Sequence, residues 1–387
     1  MLNFGSAPNE GNDLRDCSGA HPAPRNADSR VPGSCRGGGR TSQGDVTGGA
    51  EGPLAPCTAR APLTCADQPP RPPACRLACG VASLRSAAPS SWGSPSSWRG
   101  NGSVEHPTLH RTTRIAGLSI FYREAGPKDA PTLLLLHGLP SSSRMFGPLF
   151  ARLSDRHHLV APDYPGFGHS DWPDPRSFAY TFDHYAEIMN GFTEALGLSR
   201  YTLYMQDYGG PVGFRMALAH PEKIEALIVQ DAVAHDEGLG ANWQTRRAFW
   251  TDRAANERAL RTNLLSLATT RTRHVGSDPN VERYDPDLWT DEFAFLEQPG
   301  QADIQSDLFY DYRTNVDAYP RWQAWMRERQ PRLLVLWGKY DLSFELSEPE
   351  AYRRDVPKAE VHVLEAGHFA LDTAADRIAE LVRSFVR

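Results

Sequence analysis

Four short segments carry residue types suited to nucleophilic chemistry. Tyr204-Met205-Gln206-Asp207-Tyr208-Gly209-Gly210-Pro211 follows an apolar run and precedes a helical one. A tight strand-to-helix turn strains its apex residue, and a small residue two positions on lets the chain pass, as Gly209 does here. The apex is Asp207, a carboxylate and not a hydroxyl. Taken alone, the segment also fits an Asp that caps a helix. Leu136-His137-Gly138-Leu139-Pro140 follows a second apolar run. Its glycine lets the backbone bend and expose the Leu139 N–H, which together with the Tyr208 N–H could hold an oxyanion. Gly338-Lys339-Tyr340-Asp341 and Glu365-Ala366-Gly367-His368-Phe369 each lie just past a further apolar run. Singly, an acid or a histidine in such a loop is ordinary. The joint order of nucleophile, acid and histidine, each after a strand, is not.

Those segments need a frame. Residues 111–115 and 118–123 read as a hairpin around Ala116-Gly117. Residues 132–136, 159–161, 202–205, 226–229, 333–337 and 361–364 are short apolar runs, as expected of strands buried on both faces. Helical periods separate them. Phe182, Tyr185, Met189, Phe192 and Leu196 share one helix face, as do Ile378, Leu381, Val382 and Phe385. Strands alternating with helices predict an α/β fold, with a mostly parallel sheet covered on both faces. Residues 232–326 break the alternation. They hold no convincing buried strand, and residues 243–259 and 308–316 read as helical. Ligands of such sheets bind beyond the carboxyl ends of the strands, so an insertion there would enclose a pocket. The expected organisation is a core of residues 104–231 and 327–387 with a helical cap of residues 232–326.

The first 103 residues differ in texture. They hold all six cysteines, ten arginines, no lysine and no isoleucine in the 387-residue chain. So little apolar surface predicts disorder. A disulfide framework needs an oxidising compartment that no export signal supports, and the cysteines lack the paired short spacings of a zinc site, so no metal or cofactor is expected. The tract resembles translated GC-rich noncoding sequence, and Val104 could be an alternative start. A chain beginning there is expected to match the whole in stability and activity. The net charge of the full chain is -6, which gives no footprint for nucleic acid or an anionic membrane. The longest strictly aliphatic run, residues 133–136, is far too short to span a bilayer. No apolar export signal follows Met1, so a cytoplasmic location is expected.

With Ala161-Pro162-Asp163-Tyr164-Pro165-Gly166-Phe167-Gly168-His169-Ser170-Asp171, these segments resemble the α/β-hydrolase superfamily over about residues 107–387. The Gln-Asp-Tyr-Gly-Gly elbow is similar to the branch that holds haloalkane dehalogenases and epoxide hydrolases. The resemblance implies an Asp207 nucleophile that forms an ester with an sp3 carbon, His368 as base for water, and Asp341 orienting His368. Asp231, at the end of residues 226–229, is the rival acid. A small hydrophobic substrate and water are the implied partners. The leaving group separates two activities. Related dehalogenases hold halide with a Trp after the nucleophile and an Asn or a cap Trp. Here Tyr208 and Leu139 occupy the first two places, and Trp243, Trp250 and Trp289 are cap candidates. Epoxide hydrolases polarise the epoxide oxygen with two cap tyrosines. Tyr310 or Tyr312 would supply one, and Tyr284 or His235 stands nearest the other. Epoxide hydrolysis is the favoured expectation, with dehalogenation the alternative and a non-catalytic binding protein the reading of another class.

Overall fold

The computed structural model describes residues 106–386. The expectations for residues 1–103, including disorder and an alternative start, lie outside the described residues. Eight strands form one sheet in the order β1-β2-β4-β3-β5-β6-β7-β8. They are β1 (Leu109–Ile115), β2 (Leu118–Ala125), β3 (Thr132–Leu136), β4 (His158–Pro162), β5 (Tyr201–Gln206), β6 (Ile224–Gln230), β7 (Leu333–Gly338) and β8 (Glu360–Leu364). β1 and β2 pair antiparallel, β2 meets β4 antiparallel, and every later pairing is parallel.

Side-chain alternation along the strands builds two cores. Leu134 and Leu136 of β3 join Leu203, Met205, Val229 and Val335 on one face. Leu133 and Leu135 join Leu159, Tyr204, Ile228 and Leu336 on the other. The helices in chain order are α1 (Gly147–Leu153), α2 (Phe182–Ala195) and α3 (Gly209–Ala219), then α4 (Gln244–Thr251), α5 (Arg253–Leu264), α6 (Leu267–Val275), α7 (Asp287–Leu296), α8 (Gln301–Asp311) and α9 (Arg313–Arg329), and finally α10 (Glu348–Asp355) and α11 (Leu371–Phe385). Residues of α1 and α11 cover the second core, whereas α2, α3, α9 and α10 contribute to the first. Helices therefore sit on both faces, and a wholly helical segment separates β6 from β7. Among the described residues no helix is long and apolar enough to cross a membrane.

Three local expectations need correction. Residues 361–364 do not form a strand buried on both faces. β8 is the sheet's edge, and Val363 is 53% exposed. Residues 243–259 do not form one helix. Asp252 leaves the helical region with φ -141°, and its side chain accepts the Ala255 N–H, so the chain ends α4 and starts α5 there. Residues 308–316 likewise divide at Tyr312, which ends α8 and caps α9.

The helical segment is fastened to the sheet domain by buried ion pairs. His274 at the end of α6 bonds Glu292 of α7 through Nε2 and Asp372 of α11 through Nδ1, both at 2.8 Å. Its ring stacks on Phe369 at 4.4 Å. Burial alone would lower its pKa, but the two carboxylates outweigh burial and raise it to about 9. The stability this clip contributes is full below the unfolded histidine value of about 6.5 and is lost as pH rises through about 9. Thermal unfolding followed from pH 7 to 10 should show the protein losing stability across that window. His274→Gln should be less stable by about 3 kcal/mol at pH 7, with the difference shrinking as pH rises. A difference independent of pH would contradict a charged clip.

Candidate functional site

The turn between β5 and α3 holds Asp207 at φ +47°, in the left-handed region that L residues rarely adopt. Such a conformation costs on the order of 1 kcal/mol and survives only where the surroundings enforce it. Here the Asp207 N–H donates to the Asp231 carbonyl at 3.3 Å, and the Gly210 N–H donates to the Asp207 carbonyl at 2.9 Å. Two glycines allow the approach. A Cβ on Gly138 would lie 2.2 Å from Asp207 Cβ, and one on Gly209 would lie 2.2 Å from the Leu136 carbonyl oxygen. The Asp207 side chain is thereby raised at the crest of the turn, with only 8% of the residue exposed.

The loop after β3 brings the Leu139 N–H to Asp207 Oδ1 at 2.9 Å. The Tyr208 N–H, at the mouth of α3, is left without an acceptor among the described residues. The loop after β8 places His368 Nε2 3.5 Å from Asp207 Oδ2. The loop after β7 places Asp341 Oδ2 2.9 Å from His368 Nδ1. Asp341 Oδ1 in turn accepts the Ser343 N–H at 2.6 Å. Asp207, His368 and Asp341 thus stand in one hydrogen-bonding line, each from the carboxyl end of a parallel strand. Burial works to lower the pKa of His368, but the carboxylates of Asp341 and Asp207 outweigh it and hold the imidazolium well above its ordinary range.

Asp231 does not reach the imidazole. Its Oδ1 accepts the Gly338 N–H at 2.7 Å, and Oδ2 is buried without a partner. Burial, and then the neighbouring Asp341 carboxylate, push it well above the usual carboxylate range. Through the Gly338 N–H it ties the end of β6 to the end of β7.

The candidates from the helical segment separate sharply. Tyr312 is buried, with its ring 6.2 Å from that of Tyr208 and 4.7 Å from that of Trp243. Its hydroxyl lies beside that of Tyr319, and neither makes a hydrogen bond of normal geometry. The Tyr208 hydroxyl is also buried and unpartnered. Burial, with smaller contributions from groups including Asp207, raises both phenols well above 10, so both remain protonated donors. Tyr310 turns away from this group and packs against Phe249, Arg253 and Arg313. The indole N–H of Trp243 is held by the Ser343 carbonyl at 2.9 Å, and that of Trp250 by the Phe309 carbonyl at 2.7 Å. Both rings wall Tyr312, but neither has a free donor. Trp289 sits beside His274 and Arg271. Tyr284 donates to Asp278 at 3.0 Å. His235 is fully enclosed between Glu348 at 2.8 Å and Asp355 at 3.1 Å. Tyr284 and His235 are structural, because their polar atoms are already engaged.

Sequence reasoning missed three side chains. Gln206 Nε2 lies 3.1 Å from His368 Nε2, and Gln206 Oε1 is buried and unpartnered. Turning the amide over presents Oε1 to a protonated ring, so Gln206 can serve either charge state of His368. Its position beside the elbow was the only available signal. Arg246 and Arg273 are the others, and nothing in spacing distinguishes them from the many arginines of residues 232–326. Among the described residues no three His, Cys, Asp or Glu side chains are grouped to hold a metal ion. A surface cleft of about 710 Å³ beside Trp172, Arg253 and Asp303 is not lined by Asp207.

Residues 131–375 match the family described as alpha/beta hydrolase fold. The chain belongs to that family. This α/β hydrolase is 36% identical over 280 residues to an uncharacterised hydrolase of Saccharomyces cerevisiae, covering 71% of this chain and 96% of the relative. It is 35% identical over 133 residues to a haloalkane dehalogenase of Psychrobacter cryohalolentis, covering 33% of this chain and 44% of the relative. A solved epoxide hydrolase, free of ligand, shares the fold with a TM-score of 0.59 at 16% identity, covering 72% of this chain and 98% of that one.

The geometry assigns different weights to the two acids. Asp341→Asn should lower kcat by about three to four orders of magnitude, because His368 loses its orienting carboxylate. Asp231→Asn keeps an acceptor for the Gly338 N–H and should stay within about tenfold of the parent. Steady-state kinetics on the two variants checks the ranking, and its reversal would place the acid at Asp231.

Proposed function

We propose that this α/β hydrolase opens a small epoxide through an ester on Asp207, with His368 as base, Asp341 as the group that orients it, and residues 232–326 as a cap over the site. The observation that carries the reading is the line from Asp207 through His368 to Asp341, at 3.5 and 2.9 Å, with the Leu139 N–H 2.9 Å from the Asp207 carboxylate. A carboxylate is a poor acyl-transfer nucleophile but suits displacement at an sp3 carbon.

The steps balance as follows. An Asp207 oxygen attacks a ring carbon, and the C–O bond breaks with its electron pair on oxygen. That oxygen takes a proton from Tyr312 or Tyr208, the two buried donors with no partner. The imidazolium of His368 returns a proton to the tyrosinate and becomes a neutral base. Esterification favours this, because it neutralises one of the two carboxylates that raise the imidazole pKa. Water then attacks the Asp207 ester carbonyl and gives its proton to His368. The Leu139 N–H stabilises the oxyanion, joined by the Tyr208 N–H. The acyl C–O bond breaks, the alkoxide takes the proton from His368, and the diol leaves. The new Asp207 carboxyl passes its proton to His368, restoring the ion pair.

Dehalogenation is the second reading, supported by the partial similarity to a haloalkane dehalogenase. It fares less well on geometry. A halide needs N–H donors, and both indoles that wall the site are bound to backbone carbonyls. An epoxide oxygen needs a proton donor, and two phenols supply one. A purely non-catalytic binding role leaves the alignment of three ionisable groups without a purpose.

His368→Gln should form the ester but not hydrolyse it. On exposure to styrene oxide, intact-mass spectrometry should show a gain of one substrate mass on Asp207, and Asp207→Asn should show none. A His368→Gln protein that turns over normally, or carries the adduct elsewhere, would overturn the assignment.

A further inference from the structure

Two guanidinium groups lie within the shell of this site without a counter-ion. Arg273 of α6 is only 7% exposed, and its Nη2 donates to the Leu264 carbonyl at 2.9 Å. Its Nη1 is buried and has no partner. The next residue, His274, stacks on Phe369 at 4.4 Å, and a Cβ on Gly367 would lie 2.0 Å from the His274 carbonyl oxygen. Arg273 therefore stands where the loop bearing His368 meets the helical segment. Arg246 of α4 lies over the Trp243 ring at 4.4 Å, and its Nε is buried and unpartnered. Trp243 packs on Phe344 at 5.7 Å, and Phe344 packs on His368 at 5.5 Å. Neither arginine has a carboxylate within 4.0 Å among the described residues, whereas Arg247, Arg253, Arg261 and Arg283 of the same segment do. Burial and their mutual repulsion hold the Arg246 guanidinium down at about 10, and both arginines feel Asp207 and Tyr208.

An enclosed cation without a partner is costly, and two near one another are costlier. Asp207 acts on both guanidinium groups from a distance, and Glu292, already bonded to His274, acts on Arg273. An anionic ligand would give both arginines a direct partner. The free donors are Arg273 Nη1 and Arg246 Nε, and two N–H groups suit the two oxygens of a carboxylate. The aromatic lining from Trp243, Trp250, Tyr312 and Phe344 suits an apolar body beside it.

We propose that the substrate carries a carboxylate, seated between Arg246 and Arg273, with its reactive carbon turned to Asp207. The site is thus built for an epoxy acid, or an acid with another leaving group at a nearby carbon, in preference to a neutral epoxide. This proposal rests on the reading of Asp207 as nucleophile for its turnover consequences, but not for its binding consequences. The two cations also explain how a carboxylate nucleophile can approach an anionic substrate. They offset the repulsion between the two negative groups in a medium of low dielectric.

The test uses the whole chain and two matched pairs. Cyclopropanecarboxylate and cyclopropanecarboxamide resemble the epoxides in shape but cannot react, so calorimetric titration reads the anion site alone. The carboxylate should bind at least about tenfold tighter than the amide. Oxirane-2-carboxylate and oxirane-2-carboxamide then read turnover, with the acid favoured at least about tenfold in kcat/KM. Arg273→Gln should erase most of both preferences. Arg246→Gln, at a half-buried position, should reduce them by at least about threefold and serves if the first variant fails to fold. Equal binding of acid and amide, or preferences unchanged in both variants, would overturn the carboxylate site. Tight binding of the carboxylate with no turnover of either epoxide would uphold the site and reject the epoxide reading instead.

Discussion

The constraint on which the site depends is the placement of a carboxylate at the crest of a strained turn. Asp207 keeps its left-handed conformation because β5, α3 and the end of β6 hold its backbone on both sides. Gly138 and Gly209 supply the room that makes this closeness possible. The buried leucines of β3 and the aliphatic residues of β5 and β6 fix those strand ends to one another. The sheet is in this sense the rigid base of a single side chain. The loops after β7 and β8 then need only carry Asp341 and His368 to its carboxyl end.

Charge governs the rest. A buried imidazole favours neutrality, yet two carboxylates keep His368 charged. In the proposed reaction, esterification of Asp207 would remove one of those charges at the step that needs a neutral base. Asp231 shows the converse, since burial raises its pKa well above the usual carboxylate range and its Oδ1 serves as a structural tie. The helical segment repeats the theme away from the site, where His274 and His235 are each clasped by two carboxylates. Arg246 and Arg273 have no such carboxylate clasp, and each keeps one buried N–H group without a partner.

Much of this was legible in the sequence because the signals were local. Apolar runs of three to five residues marked the strands, and the glycine near Asp207 marked the turn. The order of Asp207, Asp341 and His368 followed from their positions after strands. What could not be read depends on contacts between distant segments. Val363 is apolar and yet exposed, because edge position is a property of strand order. Tyr310 and Tyr312 are two residues apart, and the break between α8 and α9 decides that Tyr312 faces the site. Trp243 and Trp250 pack on Tyr312, but carbonyls from other segments take their N–H groups. Arg246 and Arg273 look like any other arginines until the single buried, unpartnered N–H group of each is seen in its surroundings.

The central claim is that an oxygen of Asp207, and not of water, bonds to the substrate carbon. A single turnover in water enriched in oxygen-18, with enzyme in excess over epoxide, tests it directly. If Asp207 is the nucleophile, the diol lacks the label and the Asp207 carboxylate gains one labelled oxygen, found by mass spectrometry of its peptide. A labelled diol from the first turnover, with Asp207 unlabelled, would mean that water attacks the epoxide itself and that Asp207 forms no ester.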